Sequence, residues 1–198
     1  MSETRDPFVD VPFRSERSLA FARYWQSLPK QDLIPFRADF DPVDQGPVLS
    51  TYVIHELVSP EMIRIHLAGT VVSERYGREP TGKNYLDYIA DWRRTDAARS
   101  IFLTCEHPCG LLVEHNSRAQ DGSRVYTESF GLPMRDEDGQ ARWVYYQANE
   151  IDPPDPFSAS RGRLAEIDAD GEFYIDIGAG TPEFNQFELR QKQGRSRC

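Results

Sequence analysis

Three β-branched and aromatic runs, GLLVEHNS, RVYTESFGLPM and ARWVYYQANEI, follow one another over residues 110–151, joined through RAQDG with Ser123 and through RDEDGQ. Both spacers carry Asp-Gly, a strong short-range hairpin signal, so the three runs must pair as antiparallel neighbours. Two more runs precede them. VLSTYVIHEL is β-branched and aromatic, and MIRIHLAG alternates, with Ile63, Ile65 and Leu67 expected on one face and Arg64 and His66 on the other. VSPE, of hairpin length, separates this pair.

What lies around these strands reads as helix. After Gly69 the pattern breaks into short helical pieces at Gly77, Pro80 and Gly82. A longer helix is expected from about Asp91 to Glu106, with Ala97, Ala98, Ile101, Phe102 and Cys105 sharing a face and Pro108 ending it. Pro7 and Pro12 keep the first 14 residues a flexible lead. Ser15 is a suitable N-cap for an amphipathic helix over residues 15–29, whose Phe21, Tyr24, Trp25 and Leu28 recur at helical spacing before Pro29. Asp41-Pro42 opens a short helical turn. Residues 152–198 read as a linker, DPPDPFSASRG, then a short strand over 173–177 and a polar tail. Local hairpins at both ends imply an antiparallel sheet with the helical middle laid across it, an α+β architecture with room for a pocket between the layers.

The chain is 198 residues long and 39% hydrophobic, enough for one core and not for a second full domain. Its net charge of −9 disfavours nucleic acid as a partner, and its basic residues form no stripe outside the tail at Arg190, Lys192, Arg195 and Arg197. No charged start followed by an apolar run and no stretch of about 18 apolar residues is visible, so neither a signal peptide nor a membrane span is expected. Three cysteines, Cys105, Cys109 and Cys198, make no disulfide framework and fit a reducing cytoplasm.

The string IRIHLAGTVVSERYGREPTGKNYLDYI resembles the heart of a PAS domain, where the second strand runs into short helices. More narrowly, the FARYWQSLP helix with PFRADFDPVD, the LAGT-to-TGKNYLDYI segment and the late GLPM resemble a group of stand-alone PAS domains from alphaproteobacteria. The resemblance covers about residues 18–150. It implies a PAS-like domain over 15–151: a five-stranded antiparallel sheet with helices covering one face, preceded by the amphipathic helix. It also implies a sensory or regulatory module that binds a small ligand or a regulatory protein. The resemblance further implies a homodimer formed through the helix before the first strand, whose interface would fall to Phe21, Tyr24, Trp25 and Leu28, unless those aromatics pack on the domain's own sheet.

Other chemistries fail at named residues. Gly77 to Lys83 has the glycine spacing of a Walker A loop, but Asn84 stands where a Ser or Thr must hold magnesium. Glu166, Asp168, Asp170 and Gly171 begin like a calcium loop, but its twelfth position is Ile177. Cys105, His107 and Cys109 lack a fourth zinc ligand. Some haem-binding PAS domains use a histidine on the corresponding helix, but His107 beside Pro108 sits at a frayed end. The flavin-binding relatives need a cysteine before the long helix, and none precedes Cys105. No cofactor and no metal are therefore expected. His55, His66 and His115 have ordinary homes on or beside strands. The candidate pocket is formed by Ile65, Leu67, Tyr76, Tyr85, Tyr88, Ile101, Phe102, Cys105, Leu111, Val113 and Trp143, whose apolar walls with a few polar groups suit a small, weakly polar aromatic molecule. Two alternatives stand beside this binding module: a dimerisation scaffold with a filled interior, or a small cone-shaped α+β enzyme. The enzyme requires a buried acid facing a His or Tyr across a cavity, with Asp87 and Asp91 as candidate acids.

Overall fold

The computed structural model describes residues 6–41, 49–151 and 163–184. In chain order the elements are α1 (Glu16–Ser27), β1 (Lys30–Gln31), β2 (Ile34–Pro35), β3 (Tyr52–Ser59), β4 (Met62–Ala68), α2 (Thr70–Tyr76), α3 (Arg94–Glu106), β5 (Cys109–Ala119), β6 (Arg124–Arg135), β7 (Ala141–Glu150), β8 (Leu164–Glu166) and β9 (Ala169–Asp176). Short 3-10 turns at Tyr85–Tyr88 and Asp91–Arg93 lead into α3, so the helix expected from Asp91 starts three residues later. Pro42, the linker and the tail lie outside the described residues.

All pairing in the main sheet is antiparallel, in the order β4-β3-β7-β6-β5, and β8 and β9 both pair with β5. The expected hairpins form in register, Leu111 opposite Gly131 and Leu132 opposite Tyr145. Pro133 has no N–H to give a ladder. It sits past the last β5–β6 pair, opposite Val144 of β7. The segment after residue 152 holds more structure than expected: β9 begins at Ala169 rather than 173 and runs along β5 from Cys109 to His115. The supposed calcium loop is therefore the end of β8 and the start of β9.

The sheet is covered on both faces. Phe21 and Trp25 of α1 are fully buried against Tyr52, Phe130, Leu132, Met134 and Tyr145 on one face. Trp25 Nε1–H donates to the Pro133 carbonyl at 3.0 Å, and Phe21 meets Tyr52 and Phe130 edge-on at 5.4 and 5.9 Å. Burying each such side chain contributes about 1.5–3 kcal/mol. Alternation places the next set of residues, Val53, Leu111, Val113, Val144, Tyr146 and Ala148, on the other face. There they meet Val72 of α2, Leu86, and Ala98 and Ile101 of α3. Ser15 occupies the N-cap position of α1, but its side chain makes no capping bond.

Candidate functional site

Between that second face and its helices lies a cavity of about 80 Å³. At about 10–15 Å³ per water, it has room for about six water molecules. β3 contributes Val53 and His55, β5 contributes Leu111, Val113, His115 and Ser117, and β7 contributes Tyr146 and Ala148. Thr127 and Ser129 come from β6, Ala169 and Glu172 from β9, Arg75 and Tyr76 from α2, and Ser100 and Ile101 from α3. β3, β5, β6 and β7 present every second residue, as the pleat requires, and a register shift in β9 brings in both Ala169 and Glu172.

The apolar walls enclose polar atoms that the protein does not satisfy. Neither ring nitrogen of His55, the Tyr146 hydroxyl, His115 Nδ1, Arg75 Nε and Nη2, nor Arg93 Nε has a hydrogen-bond partner among the described residues. Buried polar groups are almost always paired, so these atoms require partners inside the cavity, water or a ligand. His55 lies against Tyr85 and Tyr146, with ring centroids 4.6 and 5.1 Å apart. Burial among these rings pushes its pKa down to about 3. Burial also holds His115 down at about 4, with Arg93 and Arg75 acting in the same direction. Both imidazoles are therefore neutral near pH 7. Burial pushes Tyr85 up to about 12 and Tyr146 well above the usual phenol value, so both hydroxyls keep their protons. Glu172 accepts the Ser100 hydroxyl at 2.8 Å.

A PAS domain family model matches residues 13–145, well over half of the chain. The chain belongs to the PAS domain family. In this PAS domain β3–β7 form one antiparallel sheet with α1 packed on it. Among solved structures it resembles VqmA bound to DPO, with 13% identity and a TM-score of 0.43, covering 55% of this chain and 57% of that one. It also resembles PAS-B of Drosophila melanogaster Cycle with bound glycerol (10% identity, TM-score 0.39, covering 50% of this chain and 98% of that one). An RNA-binding light-oxygen-voltage receptor gives 15% identity and a TM-score of 0.44 over 62% of this chain and 36% of its own. No curated protein matches the sequence. No helix among the described residues is long and apolar enough to cross a membrane.

Of the pocket residues expected from sequence, Tyr76, Tyr85, Ile101, Leu111 and Val113 line the cavity of this PAS domain. Ile65, Tyr88 and Cys105 pack in the core on the same face but do not reach the cavity, and Phe102 borders a separate surface cleft. Leu67 and Trp143 are corrections of phase. A bulge between the Ile54–Leu67 and His55–Ile65 pairs turns Leu67 outward, leaving it 41% exposed. Trp143 points to the α1 face, where the Arg37 guanidinium lies 3.9 Å from its ring centroid. The four aromatic and apolar residues named for an interface sit on the domain's own sheet. Phe21, Trp25 and Leu28 are buried there, and Tyr24 packs edge-on to Phe40 at 5.3 Å. Asp87 and Asp91 are exposed and outside the cavity, Asp91 pairing with Arg94 at 2.9 Å.

The sequence reading missed His55, His115, Arg75, Arg93, Tyr146 and Glu172. A signal for some of them was present: His115 and Ser117 continue the Leu111, Val113 alternation, and His55 stands between Val53 and Leu57. For Arg75 and Arg93 there was none, since arginine in a helical segment ordinarily faces solvent.

Proposed function

We propose that this PAS domain is a sensory or regulatory module whose cavity binds a small molecule and passes the signal on by non-covalent contact with a regulatory protein. The observation that carries this reading is the His55 ring, buried in the cavity wall with both nitrogens unpaired. A ligand that satisfies those atoms favours the conformation that holds it, and the population shift is the signal. The cavity has the composition of the enzymatic alternative, a buried Glu172 facing His and Tyr, but not its electrostatics. Imidazoles held at about 3 and 4 are poorly matched to proton transfer near pH 7, and Glu172 is engaged by Ser100.

Native mass spectrometry of the purified chain, paired with denaturing mass spectrometry, tests the reading. The expected result is a small adduct present in the native spectrum, absent after denaturation, and lost in His55→Phe. A folded wild-type chain with only its own mass, and no thermal stabilisation by a library of small polar and aromatic molecules, overturns it.

A further inference from the structure

Arg75 is the worst-satisfied buried charge lining the cavity. Its side chain is 6% exposed, yet its bonds are one 3.4 Å contact from Nη1 to the Ala148 carbonyl and a 3.6 Å approach to Glu150, a carboxylate 45% exposed. Nε and Nη2 make no hydrogen bond among the described residues. A guanidinium carries five N–H donors, and a charge out of water is tolerated only when paired and hydrogen-bonded. Arg93 reaches the same cavity from the turn before α3. Its Nη1 donates to Asp168 at 2.7 Å, and its Nε is unpaired.

Arg75 approaches Glu150 and Arg93 bonds Asp168, at the two sides of the cross-strand row Glu150–Thr127–His115–Ala169, so the three groups share one end of the cavity. Glu172, the only carboxylate among the described lining residues, stands opposite Val113 and is engaged by Ser100. The cavity is thus polarised, with a cationic end rich in unpaired N–H donors and an aromatic end formed by His55, Tyr85 and Tyr146.

We propose that the ligand is a small organic carboxylate, its anionic group received by Arg75 and Arg93 and its body lying against His55, Tyr85 and Tyr146. This rests on the reading that the cavity holds a small molecule. A carboxylate supplies paired acceptors in the geometry a guanidinium presents, which a hydroxyl or a water does not. About six waters of liquid occupy about 180 Å³, the bulk of one ring with a carboxylate.

The test uses sodium benzoate, benzamide and sodium sulfate as probes on the full chain at matched ionic strength. Thermal unfolding should show a saturable rise in Tm with benzoate and none with benzamide or sulfate. Arg75→Met should weaken benzoate binding by about tenfold or more, since a charge-assisted hydrogen bond is lost. Should that variant not fold, the wild-type arginine Nε–H resonances decide: benzoate should move two buried ones. Equal stabilisation by benzamide, or a response to sulfate alone, overturns the carboxylate and leaves the cavity reading standing. No response to any probe, with the His55 and His115 ring signals unmoved, sinks the carboxylate. Failure across the wider library as well sinks both readings.

Discussion

Glu128, in the middle of the sheet, accepts the hydroxyl of Ser18 on α1 at 2.6 Å, and neither residue has any exposed surface. The other carboxylate oxygen accepts the backbone N–H of Arg14 at 2.6 Å, and Asn149 Nδ2 donates to the Ser18 oxygen at 3.2 Å. The sheet, not the Ser15 side chain, thus supplies the acceptor at the start of α1, where the helix dipole favours a negative charge.

Two substitutions separate these roles. Glu128→Ala leaves two buried donors without their acceptor and should cost about 2–4 kcal/mol, while Ser18→Ala should cost about 1–2 kcal/mol. Urea unfolding measures both. Hydrogen exchange adds a locational readout: in Glu128→Ala, amides of α1 should lose protection before those of β5–β7. Uniform loss across the sheet would show that Glu128 supports the whole fold rather than the docking of α1.

Protonation of the two cavity histidines gives stability a pH dependence. His55 is held at about 3 and His115 at about 4, against an ordinary 6.5, so between those values the unfolded chain binds protons that the folded one refuses. The neutral forms stabilise the fold fully above about pH 6.5, and that stability is lost as pH falls toward about 4 for His115 and about 3 for His55. With two groups the slope approaches about 2.7 kcal/mol per pH unit. The charged neighbours that oppose protonation are Arg93 and Arg75 beside His115, whereas burial among Tyr85 and Tyr146 acts on His55. Urea titrations at pH 7.5, 6.0 and 5.0 on wild type and His115→Phe give the check. The variant should show about one proton less taken up on unfolding, and an unchanged slope would exclude His115 as a source.

His55→Phe tests the unpaired ring directly. In the empty protein the change removes two unsatisfied nitrogens and keeps an aromatic between Tyr85 and Tyr146, so Tm should hold or rise by the equivalent of about 1 kcal/mol. A loss of more than that would show that His55 serves the fold through partners of its own.

The strands from β3 to β7 were legible because alternation and Asp-Gly turns fix register locally. The two faces of the sheet were not equally legible. A period of two says that Trp143 and Tyr146 face opposite ways, but not which one faces the cavity: Trp143 faces α1 and Tyr146 the cavity. The phase slip at Leu67 comes from a bulge at His66, which alternation cannot reveal. β9 was seen only in its last residues, because Asp168, Asp170 and Gly171 read as a turn. With Glu172 left outside the domain, half of the cavity's charge pattern was out of reach of sequence reasoning. Arg75 becomes a site residue only when α2 folds back over β7, a long-range contact no local pattern encodes.

Gly131 makes the cavity wall what it is. It sits opposite Tyr146, and a Cβ placed on it would come within 2.2 Å of the tyrosine ring. Its backbone is not in the left-handed region, so the requirement is for space alone. Tyr146 therefore lies flat across β6, which sets its hydroxyl at the cavity and its ring against His55. Gly131→Ala forces that ring up from the sheet, into the cavity it lines. The expected cost is about 1–3 kcal/mol from overpacking, with any ligand-induced rise in Tm abolished. Calorimetry gives the first, and thermal unfolding with the benzoate probe gives the second. A Gly131→Ala chain that keeps both its stability and its response would show that Tyr146 moves elsewhere and that its position does not shape the site.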